Sequence, residues 1–261
     1  MPKFILAILL VLISCSLKAQ TWEIGVGAGG SGYMGDLNPN NPLKVSGPSA
    51  SVFVKRNFNG YLSLRANFTY GEIAAADSNS SDAQFRQRNL SFNDKLLEGA
   101  LLAEFNFFSY IPEAGKNKWT PYLYLGLGAV NYNPTTVYEG QTYNLRGAET
   151  NGEKTFSTIA ISIPYGAGVK YNIAGKFTIG AEIGYRNPNT DYLDDVSGYY
   201  PSKAGLTPLQ QALSDRSGEK TGVYIGTPGT QRGDLNPRDT YFFTQITFSY
   251  TFVTEKCYFL H

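Results

Sequence analysis

Leu62-Ser63-Leu64-Arg65-Ala66-Asn67-Phe68-Thr69-Tyr70 changes polarity at every residue. Leu62, Leu64, Ala66, Phe68 and Tyr70 fall on one side of an extended chain, and Ser63, Arg65, Asn67 and Thr69 on the other. A period of two is a strand with one apolar and one polar face. The same alternation recurs in seven other segments. Trp22, Ile24, Val26 and Ala28 oppose Glu23, Gly25, Gly27 and Gly29, and Val52 and Val54 oppose Ser51 and Lys55. Leu97 to Phe107 sets Leu101, Ala103 and Phe105 against Glu98, Glu104 and Asn106. The Leu123, Leu125, Leu127 stretch is weaker, because it turns Tyr122 and Tyr124 to the polar side. Ile159 to Tyr171, Phe177 to Tyr185 and Phe242 to Phe252 complete the set.

Eight such strands with little helical signal predict an all-β chain, an eight-stranded antiparallel transmembrane β-barrel with apolar residues outward and polar or small ones inward. Connection lengths agree. The stretches 57–60, 111–118 and 172–175 are short, whereas about 33–47, 72–94, 132–155 and 187–239 are long, in strict alternation. That is the pattern of short periplasmic turns and long external loops, and an even strand number leaves both termini periplasmic. A soluble lipocalin-like barrel would have to reverse the faces, putting Arg65, Glu98, Glu104 and Glu182 outside.

The ends divide the chain into a signal peptide (1–19), the barrel (20–253) and a tail (254–261). Lys3 precedes an apolar run from Phe4 to Ile13 that is too short to span a bilayer as a helix. Cleavage after Ala19 competes with lipid attachment at Cys15, where Leu12-Ile13-Ser14-Cys15 makes a loose lipobox. Cleavage removes Lys3 and Lys18 and no acid, leaving 20 basic against 21 acidic residues, a net charge of −1. That balance argues against nucleic acid as a partner. Cys257 is then the only cysteine, so no internal disulfide forms, and an odd thiol in an oxidising compartment suits a bond to a partner. Beside it, Lys256, Tyr258, Phe259 and Leu260 form a short apolar cluster of the kind that marks contact sites.

Catalysis finds little material. The only histidine is the terminal His261, so the barrel and its loops carry no imidazole for hydrolysis or metal binding. Glu98 and Glu104 share a face but stand roughly 20 Å apart at strand rise, too far to act on one bond. The glycines of Gly25 to Gly32 lack the following helix of a nucleotide-binding unit. The expectation is therefore no enzyme and no cofactor. Inward positions instead collect Glu23, Glu98, Glu104 and Glu182 against Lys55, Arg65, Lys170 and Arg186, four of each sign. Balanced long side chains in so narrow a barrel predict a plug of ion pairs rather than a pore.

Gly-Asp-Leu-Asn-Pro occurs twice, at 35–39 and 233–237. The first and last strands are neighbours in a closed barrel, so the two copies meet at the external rim. As turn formers, Asp36, Asn38, Asp234 and Asn236 are expected to make a rim seam. Alternatively Asp36 and Asp234, with Asp194, Asp195 or Asp239, could bind Ca²⁺ or a partner there, although the spacing is not that of a known calcium loop. Arg232-Gly233-Asp234 also spells an integrin-type adhesion tripeptide.

QTWEIGVGAGGSGYMGDLNP at the front, WTPYLYLGLGAVNYNP, SIPYGAGVKYNIAGKFTIGAEIGYR with NPNTDYLDDVSG after it, and the terminal SYTF with its cysteine-bearing tail resemble the PorG-like outer-membrane barrels of Bacteroidetes-type bacteria. The resemblance covers nearly the whole mature chain. It implies an accessory, structural role in type IX protein secretion and, in gliding bacteria, in motility. The implied partners are a periplasmic ring of a PorK-like lipoprotein and a PorN-like protein, beside the outer-membrane lipid that the barrel itself requires; the apolar tail with its odd thiol is then expected to dock Lys256 to Leu260 on the lipoprotein and to bond to it through Cys257. The alternative is an OmpX-like surface adhesin acting through the loops, chiefly 187–239 with Tyr199-Tyr200-Pro201. A lipid-modifying barrel enzyme would need a rim base that this chain lacks.

Overall fold

The computed structural model describes residues 21–112, 117–148, 150, 157–234, 236 and 238–252. The signal peptide and the tail, including Cys257, lie outside these residues. In chain order the strands are β1 (Thr21–Met34), β2 (Val45–Asn57), β3 (Leu62–Ala76), β4 (Ser91–Asn106), β5 (Trp119–Asn131), β6 (Thr135–Tyr138), β7 (Gln141–Asn144), β8 (Ile159–Ala174), β9 (Phe177–Pro188) and β10 (Thr240–Phe252). All pairings are antiparallel, and β6 and β7 form a side hairpin. The other eight strands close on themselves, since β1 pairs with both β2 and β10 and the ring is completed by β3 on β4. The chain is a closed eight-stranded antiparallel β-barrel. Among the described residues no helix is long and apolar enough to cross a membrane.

Side-chain direction follows the alternation. Val26, Leu101, Leu125 and Ile161 project from the wall at 54, 57, 60 and 61% exposure, while Ser63, Arg65, Asn67 and Thr69 are buried inside. A wall of that polarity matches hydrocarbon, and the reversed, lipocalin-like arrangement is excluded. Trp22, Phe105, Phe107, Trp119, Tyr171, Phe177 and Phe252 form an exposed aromatic girdle near the end with the short turns. In the first of those turns the Asn59 side chain accepts from the Tyr61 and Leu62 amides at 2.8 and 2.9 Å, fixing a tight reversal.

Tyr122 and Tyr124 do point inward, and glycines on the facing strands make room for them. A Cβ on Gly168 would lie 2.6 Å from the Tyr122 ring, and one on Gly184 would overlap Tyr124. The rings therefore fill space that glycine leaves.

The loop limits need correction. β3 and β4 run on to Ala76 and start at Ser91, so the second connection is 77–90 rather than 72–94. The third contains the β6–β7 hairpin, whose Glu139-Gly140 turn has positive φ at both residues, and helix α2 (Leu145–Ala148). Helix α1 (Ala83–Arg88) lies in the second connection, and α3 (Pro208–Ser214) and α4 (Gly218–Thr221) in the fourth. α3 is started by a capping box between Thr207 and Gln210. These connections pack into a crown over an apolar core that includes Tyr33, Leu37, Ile73, Phe92, Leu96, Leu193, Val196 and Phe243.

Candidate functional site

Two constellations stand out, the charged lumen and an acidic seam in the crown. The eight lumen charges expected from the sequence are each at least nine-tenths buried, and Asp94 of β4 adds a ninth buried carboxylate toward the crown. Glu104 is the hub: Lys170 reaches it at 3.0 Å, Lys55 at 3.5 Å and Arg65 Nε at 3.0 Å. The Arg65 contact attracts by charge, but its angle makes no hydrogen bond. Arg65 turns its other nitrogens to Glu182 at 2.8 and 3.3 Å, and Glu182 also accepts from Tyr122. Lys55 also pairs with Glu23 at 2.9 Å, and the Ser249 hydroxyl donates to Glu23 at 2.7 Å.

A second layer, toward the crown, joins Arg186 to Glu98 at 3.2 Å, with Tyr241 donating to Glu98 at 2.7 Å. Aromatic faces line the cations: Arg65 lies between Phe53 and Tyr124, Lys170 stands 4.3 Å above Tyr122, and Arg186 lies 4.5 Å above Phe243. Every charge has a partner, as burial at low dielectric demands. The arrangement crosses the barrel interior and leaves its charged groups engaged with one another.

The two Gly-Asp-Leu-Asn-Pro copies meet, but in unequal roles. Asp36 and Asn38 are buried, Asp234 is half-buried and Asn236 exposed. The Asp234 amide donates to Asp36 Oδ1, so the copies touch directly. Asn38 donates to the carbonyls of Tyr33 and Asn41 at 2.6 and 3.0 Å, closing its own turn. Among the described residues Asn236 bonds only to Asp234, its backbone and side-chain nitrogens each donating at 2.7 Å. Leu235 and Pro237 lie outside the described residues. Arg88 of α1 joins the two: it forms a fork onto Asp77 at 2.7 Å twice, and donates to the carbonyls of Asp36 at 3.0 Å and Arg232 at 2.5 Å. Sequence reading passed over Arg88, because an arginine in a six-residue helix carries no mark of its long-range partners.

Carboxylate atoms of Asp36, Asp191 and Asp239 lie within 4.8 Å of one another. Asp191 was not singled out from the sequence, whereas Asp234 stands outside this trio and Asp195 turns away to Thr150. Tyr33 contacts both Asp194 and Asp239, the latter at 3.1 Å, and a hydroxyl has one proton to give. Burial first, and then the neighbouring carboxylates, raise the pKa of Asp36 and Asp239 well above the usual range. Asp194 is raised too, chiefly by burial, and burial together with Asp36 and Asp234 pushes Asp191 up to about 7. Like charges this close must share protons or a cation. The adhesion tripeptide is ruled out by burial: the Arg232 guanidinium is 3% exposed and donates to the carbonyls of Asp195 and Ser214 at 2.7 and 3.3 Å.

Solved structures with a similar chain course include Neisserial surface protein A (11% identity, TM-score 0.44, 90% of this chain and all of that one) and OprG of Pseudomonas aeruginosa (11%, 0.44, 91 and 98%). Ail, the attachment invasion locus protein of Yersinia pestis, is also similar (14%, 0.41, 89 and 99%). No curated protein matches the chain. A family model described as a domain of unknown function, DUF6089, matches residues 2–217, and the chain belongs to that family.

Proposed function

We propose that the chain is a closed, non-conducting barrel of the bacterial outer membrane, with both termini periplasmic, that anchors the periplasmic ring of the type IX secretion machinery. The observation that carries the structural half of this reading is the lumen, where Glu23, Glu98, Glu104 and Glu182 are neutralised by Lys55, Arg65, Lys170 and Arg186 in ion pairs that cross it. Such an interior suits support rather than transport, and it holds no nucleophile and base poised over an open cavity. The secretion half rests on the motifs that resemble PorG-like barrels, with the PorK-like and PorN-like ring proteins as the partners. Lys256 to Leu260, with Cys257 as the bonding thiol, are the docking element in this reading.

Gene deletion tests it. Surface proteins with C-terminal sorting domains should then accumulate in the periplasm, and the purified barrel should give no steady current in a planar bilayer. Normal export in the deletion strain removes the secretion role, and large, stable conductance removes the plug. The rival reading, a surface-binding barrel, draws support from Tyr199 and Tyr224, which stand 57 and 60% exposed on the fourth loop of the crown.

A further inference from the structure

A cleft of about 400 Å³ opens in the crown between α1 and the fourth loop. Gln84, Phe85 and Arg88 form one wall, and Tyr200, Ile225 and the segment 230–233 form the other. Its size is within the range of small-molecule sites. The floor requires glycine, because a Cβ on Gly233 would lie 2.8 Å from Asp36 Oδ1 and 3.0 Å from the Ser197 Cα. The second Gly-Asp-Leu-Asn-Pro copy therefore supplies the base of a cleft as well as a turn.

The chemistry of the walls restricts the ligand. Both cations at the cleft are already engaged: Arg88 is held by the Asp77 carboxylate and stacks 4.8 Å from the Phe85 ring, and Arg232 donates to the carbonyls of Ser214 and Asp195. An incoming anion would meet Arg88 already neutralised by Asp77, and Arg232 with all three nitrogens taken by the Ser214 and Asp195 carbonyls and the Thr150 hydroxyl, so the cleft offers no free donor fork to phosphate, sulfate or carboxylate. Half-exposed Phe85, with Tyr200 and Ile225, offers apolar surface. Neutral hydrogen-bonding groups come from Gln84, Gln231 and Thr230. Gln231 uses Nε2 on the Gly233 carbonyl at 2.7 Å, and among the described residues its Oε1 and the side-chain carboxamide of Gln84 have no hydrogen-bond partner, the Gln84 backbone N–H being taken by Asp82. Aromatic surface beside amides and a hydroxyl, with no charge to spare, matches a molecule that has an apolar C–H face and a rim of hydroxyls.

We propose that this cleft binds a neutral saccharide, one pyranose ring laid against Phe85 with its hydroxyls paired to Gln84, Thr230 and Gln231. The inference goes beyond the anchoring role and does not rest on it. Two sources share the chemistry: core sugars of the cell's own lipopolysaccharide, and glycans of other cells.

The test uses the full chain, folded in an amine-oxide detergent because maltoside detergents would compete, on an array of neutral, sialylated and sulfated glycans that includes the strain's own core oligosaccharide. Binding to neutral hexose glycans is expected, weakened about tenfold by Phe85→Ala through the lost ring contact. Thr230→Trp, an exposed substitution at the rim, should block the cleft while heat-modifiability on gels stays that of wild type. Core oligosaccharide as the ligand assigns the source to the cell's own envelope, and other glycans assign it outside. Absence of neutral-glycan binding, preference for sulfated or sialylated glycans, or equal binding by both variants overturns the proposal. Secretion in the Thr230→Trp strain should be unchanged, which separates this site from the anchoring role.

Discussion

Arg65 shows how much a single side chain carries here. It bridges two carboxylates, Glu104 and Glu182, inside a wall that excludes solvent, so Arg65→Ala leaves Glu182 with only Tyr122 and its neighbours. Removing one member of a buried pair costs about 3–5 kcal/mol, and urea unfolding of the variant in detergent should show a loss of that order. A shift under about 1 kcal/mol would mean that water or a neighbouring base compensates. In the crown the acids behave in the opposite sense. Asp36, Asp191, Asp194 and Asp239 have raised pKa values in the folded state, so the fold binds protons that the unfolded chain releases. Stability of the crown should therefore be greatest at acid pH and fall as pH rises from about 4, through about 7 for Asp191 and Asp194, to about 8 for Asp36. Facing the cluster, the Asp234 carboxylate reinforces the trend, whereas Arg88 from α1, the Tyr33 hydroxyl from β1 and the amides of Asp234, Val196 and Leu193 oppose it without reversing it. Limited proteolysis in chelator at pH 5.5 and 8 reads this directly, with faster cutting expected at the higher pH. Calcium at pH 8 should abolish the difference if the trio holds a cation, and leave it intact if the acids only share protons.

At the scale of the element, β3 and β4 explain both what was legible and what was not. Below Gly71 their inward residues are mostly polar, Ser63, Arg65, Asn67 and Thr69 on one strand and Glu98, Glu104 and Asn106 on the other with Ala100 and Leu102 between them, and apolar residues lie outside. Above it the parity continues while the polarity largely inverts: Ile73, Ala75, Phe92 and Leu96 turn inward, with Asp94 among them held by the Asn133 amide, and Asn93 and Lys95 turn out. The inversion marks where the wall leaves hydrocarbon and encloses a water-soluble type of core. Reading only for apolar-outward alternation ended both strands too early, although the signal was present in the same residues. The ion-pair set, by contrast, followed from parity alone, because every inward charge sat on an unbroken period of two. Arg88 and Asp191 could not be read this way, since their partners come from loops distant in sequence. The wall assignment predicts that Leu101→Arg, in the middle of the exposed apolar belt, costs about 2–4 kcal/mol and impairs insertion. Lys220→Glu, on the exposed face of α4, should be nearly silent. Equal heat-modifiability of the two variants on gels would contradict the face assignment.

At the scale of the whole molecule the two ends of the barrel have different chemistry. One end carries short turns, the start of β1 and the end of β10, paired as Trp22 with Phe252. The other carries a crown with its own apolar core, an acidic seam and a cleft. An anchor for a periplasmic ring and a receptor for an external ligand would use opposite ends, so the two roles separate by mutation. Truncation after Phe252 removes no paired residue of β10 and should leave an inserted, heat-modifiable barrel. If Lys256 to Leu260 dock the ring, that barrel no longer co-purifies with the ring lipoprotein, and Cys257→Ser loses a higher-mass species on non-reducing gels. Shortening 200–230 is a poor complement, because it would remove buried Leu213, Asp215 and Arg216 from the crown. The exposed pair Tyr199→Ala and Tyr224→Ala is the cleaner change: it should reduce any surface binding while ring co-purification stays at the wild-type level. Ring recovery at wild-type yield from the truncated chain would move the docking contact to the turns at the same end. Loss of the ring from the Tyr199 and Tyr224 variant would instead place the contact at the crown, and the crown rather than the short turns would then have to face the periplasm.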